Sequence, residues 1–144
     1  LNEENVEYVI RDLVIAEKVS DVAAIKEVRT FAVAQQQKMG EEKGIVMDGR
    51  DIGTTVFPDA ELKFFMTADI AVRVERRYLE MLAKNPNISI DDVKANLEMR
   101  DYIDSNREVS PLRKAPDAIE LDNTALSIAE QLEIAVGFVK GKIY

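Results

Sequence analysis

Cysteine and histidine are both missing from the 144 residues. Without cysteine there is no disulfide, no thiolate nucleophile and no zinc–thiolate site. Without histidine the chain lacks the commonest general base and the commonest transition-metal ligand. Ser-His-Asp, Cys-His and His-metal mechanisms are therefore excluded for this chain on its own. Long apolar runs are also missing: no stretch approaches the roughly eighteen residues that a membrane helix needs. No signal-peptide pattern opens the chain. A cytoplasmic protein with no membrane partner is the simplest expectation. Positive charge is in deficit, with 19 Lys and Arg against 27 Asp and Glu and a net charge of −8. Such a surface repels extended polyanions, so nucleic acid is not an expected partner. Small anions remain open, because they need only a local group of arginines.

What is present is an ordinary globular composition, 47% hydrophobic and 32% charged, long enough for one domain with a core. A helical pattern runs from Asp12 to about Lys38, with a break near Ser20 and an apolar spacing of Val22, Ile25, Val28 and Ala32. Residues Asn5–Val9 read as a short strand or a turn. Ile45–Met47 reads as a short buried strand, Leu62–Met66 as a second and Ala118–Leu121 as a third. Asp69 is placed to cap a helix reaching about Lys84, with Val74, Tyr78, Met81 and Leu82 on one side. Asn85-Pro86-Asn87 ends it. Ser89 with Asp92 resembles a capping box and opens a helix to about Ile103 or beyond. Ser127 with Glu130 is a full capping box, opening a last helix on Ile128, Leu132, Ala135 and Val139. Strands alternating with helices predict an α/β domain with a parallel sheet, whose ligands sit beyond the carboxyl ends of the strands.

The expected first strand ends on Asp48-Gly49-Arg50-Asp51. An apolar run ending in Asp has the form of a Walker B strand, whose carboxylate orients the water shell of a nucleotide-bound magnesium ion. Alone it is a weak signal, since many buried strands end in Asp as a turn or helix cap. Arg50 lies two residues on, where its fork can hold a phosphate. Gly49 and Gly53 allow close backbone approach or positive φ. In "MRDYIDSNREVSPL", Arg100, Asp104 and Arg107 are spaced four and three apart, on one face of a continuing helix. Local ion pairs on a solvated face are the alternative there. Arg73, Arg76 and Arg77 form a third group that also reads as surface charge. Ser20 is equally good as a helix cap, and Arg29 as an exposed cation.

The strings "GIVMDGRDIGTTVFPDAELKFFMTA", "RDYIDSNREVSPL" and "AIELDNTALSIAE" together closely resemble the bacterial cytidylate kinase family, and the likeness covers nearly the whole chain. The resemblance implies a P-loop nucleoside monophosphate kinase fold, three-layered on a parallel sheet. It implies transfer of the γ-phosphoryl of ATP, with Mg²⁺, to CMP or dCMP. By the family pattern Ser20, Arg29 and Asp51 read cytosine, while Arg100 and Asp104 face the sugar. Arg50 and Arg107 hold the acceptor phosphate. Arg73, Arg76 and Arg77 belong to a lid over the ATP phosphates, covering about residues 73–90, and Arg76 joins Arg50 and Arg107 as catalytic. Asp48 becomes the metal-facing carboxylate. Residues 1–11, "LNEENVEYVIR", resemble the end of the family's monophosphate-binding insert. The parent enzyme is expected to be a monomer.

The chemistry suits a chain without histidine. A monophosphate acceptor is already largely dianionic at neutral pH, its second pKa being about 6, so no general base is needed. Several arginines must instead bring two polyanions together. The departures are as informative. No G-x-x-x-x-G-K-[ST] occurs anywhere. Glu3 stands where the family turns on Gly, and Lys26 where it often has Pro. Leu1 is not Met, and the phosphate loop and first strand are expected upstream of it. The fold of these residues alone is then incomplete. The isolated chain is expected to be inactive, and to be an unstable piece, a re-paired or swapped oligomer, or part of a longer polypeptide. A non-catalytic nucleotide-binding module and a related P-loop kinase with another small anionic acceptor remain alternatives.

Overall fold

The computed structural model describes residues 3–7, 9–11, 13–83 and 85–143. Its order is a 3-10 turn Val9–Arg11, α1 Leu13–Ala24, α2 Lys26–Met39, a π turn Ile52–Val56, β1 Phe64–Thr67, α3 Ile70–Leu82, α4 Ile90–Asn106, β2 Ile119–Asp122 and α5 Ile128–Ile143. The positions Leu1, Asn2, Tyr8, Asp12, Lys84 and Tyr144 lie outside the described residues, so the expected helix start at Asp12 and helix end at Lys84 do too.

The sheet is parallel, as the alternation of elements predicts, and has two strands among the described residues. Phe64 pairs with Ile119 and Thr67 with Asp122. The ladder extends past both ends, with Ile119 N–H donating to the Lys63 carbonyl (2.9 Å) and Asn123 N–H to that of Thr67 (2.8 Å). Lys63, buried just before β1, donates to both Asp117 carboxylate oxygens (2.9 and 2.7 Å) and to the Pro58 carbonyl. The α5 helix meets the sheet through Phe138, whose ring stands edge-on to Phe64 at 5.8 Å.

One expectation about strands is corrected. Ile45–Met47 forms no strand: residues 43–48 have no regular structure, and the Val46 side chain is fully exposed. A strand needs a neighbour to take its N–H and C=O groups, and no described residue offers one here. Of the two readings of Asn5–Val9, the described residues follow the turn: Glu7 lies in a turn and Val9 begins the 3-10 turn.

The helices follow their caps and stripes more closely. Asp69 occupies the N-cap of α3, yet its side chain makes no capping bond; its own N–H donates to Thr124 Oγ1 (2.9 Å). Val74 and Met81 of α3 are buried, and Met81, Ile88 and Val93 form a core cluster joined by Tyr78, Leu82 and Leu97, so α3 packs on α4. Ser89 Oγ accepts from Asp91 N–H (3.2 Å), while Asp91 and Asp92 favour the positive end of the α4 dipole. The break between α1 and α2 falls at Ile25 rather than Ser20, and Ser20 is a buried mid-helix residue, not a cap. The expected apolar faces at Val22, Ile25 and Val28, and at Ile128, Leu132 and Val139, are exposed.

At α5 the capping box is complete. Ser127 N–H and Oγ donate to Glu130 Oε2 (2.8 and 2.7 Å), and Glu130 N–H donates back to Ser127 Oγ (3.3 Å). The Ser127 hydroxyl, then its N–H, holds the Glu130 carboxyl below its ordinary value. A lowered folded pKa gives a contribution that is full above the ordinary glutamate value of about 4.3 and lost as pH falls through the lowered value. In an NMR acid titration the Ser127 amide is expected to move with Glu130, at a midpoint below the ordinary glutamate value, and Ser127→Ala to return that midpoint toward the ordinary value. An ordinary Glu130 midpoint in the unaltered chain would contradict the box.

Candidate functional site

A cleft of about 190 Å³ opens between α1, α2, the Gly49–Asp51 turn and α4. Each wall has a local cause. Ser20, buried in the middle of α1, points to it. Arg29 sits in the first turn of α2. Asp51 is fixed by the π turn: its carbonyl accepts from the N–H groups of Thr54 (3.3 Å), Thr55 (2.9 Å) and Val56 (3.3 Å). This is the use of the Ile-Gly-Thr-Thr stretch, since π turns re-aim backbone near sites. Gly49 and Gly53 do not adopt positive φ; a Cβ on Gly49 would lie 3.0 Å from Ile52. Gly40 has the tighter requirement, because a Cβ there would meet the Phe57 ring at 2.4 Å.

Carboxylates and guanidinium groups alternate across the cleft. Asp51, 2% exposed, pairs with Arg29 at 2.5 Å and lies 3.7 Å from Arg107. Arg107 donates from Nη1 to Asp104 (3.3 Å) and from Nε to the Ser110 carbonyl (2.6 Å). Ser110 takes a positive φ of 53°, a conformation uncommon for a residue with a Cβ, in the turn that presents this carbonyl. Arg50 Nε reaches Asp104 (3.2 Å) and its Nη1 reaches Asp101 (3.2 Å). Asp101 also accepts from Arg73 on α3. Burial, then the neighbouring Arg50, lowers the pKa of Arg100, and burial, then Arg29, lowers that of Arg107. Cations crowd here more closely than the carboxylates offset.

The unsatisfied polar atoms gather in the same place. Among the described residues, five buried side-chain atoms lack a hydrogen-bond partner: Arg29 Nε, Gln36 Oε1, Asp51 Oδ2, Arg100 Nε and Arg107 Nη2. Buried polar groups are nearly always paired. All five belong to residues lining this cleft. Three donors and two acceptors, walled by four arginines, suit an anion carrying a polar ring.

All seven residues expected at the acceptor (Ser20, Arg29, Arg50, Asp51, Arg100, Asp104 and Arg107) line the cleft. The other expected residues lie elsewhere. Arg76 donates to Asn123 Oδ1 (3.0 Å) and to the carbonyls of Asn123, Thr124 and Leu126 (2.8, 3.3 and 3.2 Å). Arg77 pairs with Glu80 (2.8 Å). Asp48 is exposed on the irregular 43–48 segment, not at a strand end. Sequence reasoning missed Gln36 and Asp101. Gln36 lies in a Gln-Gln-Gln run that carries no signal of its own; Asp101 follows Arg100 and reads as a local counter-charge.

A sequence model of the cytidylate kinase family matches residues 1–141. A cytidylate kinase from Flavobacterium psychrophilum is 56% identical over 139 residues, covering 96% of this chain and 62% of that protein. Those of Bacteroides thetaiotaomicron and Cytophaga hutchinsonii are 58% and 52% identical, covering 92% and 99% of this chain and 58% and 61% of theirs. The chain thus spans about three fifths of the length of these relatives. A match of that extent and identity places it in the cytidylate kinase family.

Proposed function

We propose that this chain carries the acceptor side of an ATP-dependent cytidylate kinase, which transfers the γ-phosphoryl of ATP to CMP or dCMP. The convergence of all five orphaned buried atoms on one arginine-walled cleft supports this reading. Arg50 and Arg107 hold the acceptor phosphate. Arg100 and Asp104 face the sugar. Ser20, Arg29 and Asp51 face the base. Cytosine presents an amino donor at position 4, whereas uracil presents an acceptor there, so Asp51 favours the former.

The acceptor dianion is its own nucleophile, and the protein contributes positioning and positive charge. Arg73, Arg76 and Arg77, with the stretch to about residue 90, form the proposed lid over the ATP phosphates; residues 1–11 end the proposed monophosphate-binding insert. Magnesium, carried on the ATP phosphates, supplies charge neutralisation between donor and acceptor. Among the described residues no group of three metal-ligating side chains clusters. The lone exposed Asp48 fits a hold on the ion's water shell, not a direct cage. No helix of the described residues is long and apolar enough to cross a membrane.

A coupled assay of the full-length protein is expected to show ATP consumption with CMP and dCMP at least about a hundredfold more efficient than with UMP or AMP, as for sites built to hydrogen-bond their substrate. Equal or greater efficiency with AMP would overturn the reading. The 144 residues alone, having no Gly-rich phosphate loop, are expected to bind CMP in calorimetry and to transfer little.

A further inference from the structure

We infer that Gln36 reads the nucleobase, as the second acceptor for the exocyclic amine of cytosine beside Asp51. The inference rests on the proposed function and adds a specificity-determining residue to it. Gln36 lies seven residues after Arg29 on α2, two turns along the same face. Both side chains line the cleft. Gln36 Oε1 is buried and has no partner among the described residues.

The cleft's other orphaned acceptor is Asp51 Oδ2, whose sister oxygen Oδ1 is held by Arg29. The remaining orphans, Arg29 Nε, Arg100 Nε and Arg107 Nη2, are donors on guanidinium groups. The phosphate, the sugar oxygens and the ring acceptors of a pyrimidine nucleotide satisfy those. They leave the two acceptor oxygens unanswered. An aromatic amine carries two hydrogens, one for each of these acceptors. A carbonyl in its place sets an acceptor against the Asp51 carboxylate, leaving buried groups unpaired, and requires the Gln36 amide to turn over and present its N–H groups instead.

The test is the kinetics of the full-length protein with CMP and UMP, comparing wild type with Gln36→Leu, Gln36→Met and Gln36→Glu. Losing one buried acceptor is expected to raise KM for CMP about tenfold in Gln36→Leu and to leave kcat within about twofold. The ratio of kcat/KM for CMP over UMP is expected to fall about tenfold. Gln36→Met removes the acceptor at the same chain length and gives the same result where the leucine variant does not fold. Gln36→Glu retains an acceptor oxygen and is expected to keep the ratio within about threefold of wild type. An unchanged CMP-to-UMP ratio in folded Gln36→Leu or Gln36→Met overturns the role of Gln36 and leaves the kinase reading standing. A wild type that turns over neither nucleotide overturns both.

Discussion

Replacing Arg107 with methionine is expected to destabilise the fold by about 3 kcal/mol and to lower the melting temperature by on the order of 10 °C. Only 3% of its side chain is exposed, and it serves Asp104, the Asp51 ion pair and the Ser110 carbonyl at once. Breaking a buried charge pair by removing one partner costs about 3–5 kcal/mol. The lower end applies because neither carboxylate is abandoned: Asp51 keeps Arg29, and Asp104 keeps Arg50. Loss of Arg107 also relieves its repulsion by Arg29, one of the causes that lower its pKa. Lys114→Met is the comparison. It removes an exposed ion pair with Glu120 at 2.9 Å, and such pairs contribute about 0–1 kcal/mol. Similar melting temperatures for the two variants would show that the arginine–carboxylate cluster does not stabilise the fold.

Arg50→Lys is expected to do the opposite: to spare the fold and lower kcat/KM for CMP by about 10²- to 10³-fold, the cost of removing one preorganised donor from a reacting group. Arg50 is about a third exposed, so a lysine keeps the charge near Asp101 and Asp104 with a melting temperature within a few degrees of wild type. What it loses is the planar fork, which a point charge on a flexible stem does not replace at a bidentate site. Steady-state kinetics of the full-length protein separate the cases. A fall under threefold would remove Arg50 from the acceptor phosphate.

Much of this organisation was legible from residue order, for reasons that differ between elements. The α5 start was readable because a capping box is wholly local: Ser127 and Glu130 make it with no help from elsewhere. The α3 stripe was readable because Tyr78, Met81 and Leu82 meet one partner, the Ile88–Leu97 stretch that opens α4, a short way along the chain. The segment at Ile45 was misread because a strand is a two-body object, and an apolar run says nothing about whether its neighbour is at hand. The exposed rows at Ile128, Leu132 and Val139 teach the same lesson, since periodicity marks a face and not its cover. The α1–α2 break at Ile25 carries neither Gly nor Pro. It falls just before Lys26, where α2 begins, so the bend forms here without a residue that announces it.

The site divides in the same way. Arg50, Arg100 and Arg107 were readable as a set only through the family resemblance, because their spacing alone equally describes a solvated face. The structure brings them to one cleft. Gln36 was invisible, since its significance lies in an oxygen left without a partner.

Asp101 divides its two oxygens between Arg50, which walls the cleft, and Arg73, which sits on another helix. A phosphate that draws Arg50 toward itself competes with that carboxylate for the guanidinium and leaves Asp101 more fully to Arg73. Under the proposed function, filling the cleft is therefore expected to tighten a grip on α3. By reciprocity, whatever pulls Arg73 from Asp101 frees that carboxylate to compete harder for Arg50, so the two events are thermodynamically linked through a single side chain.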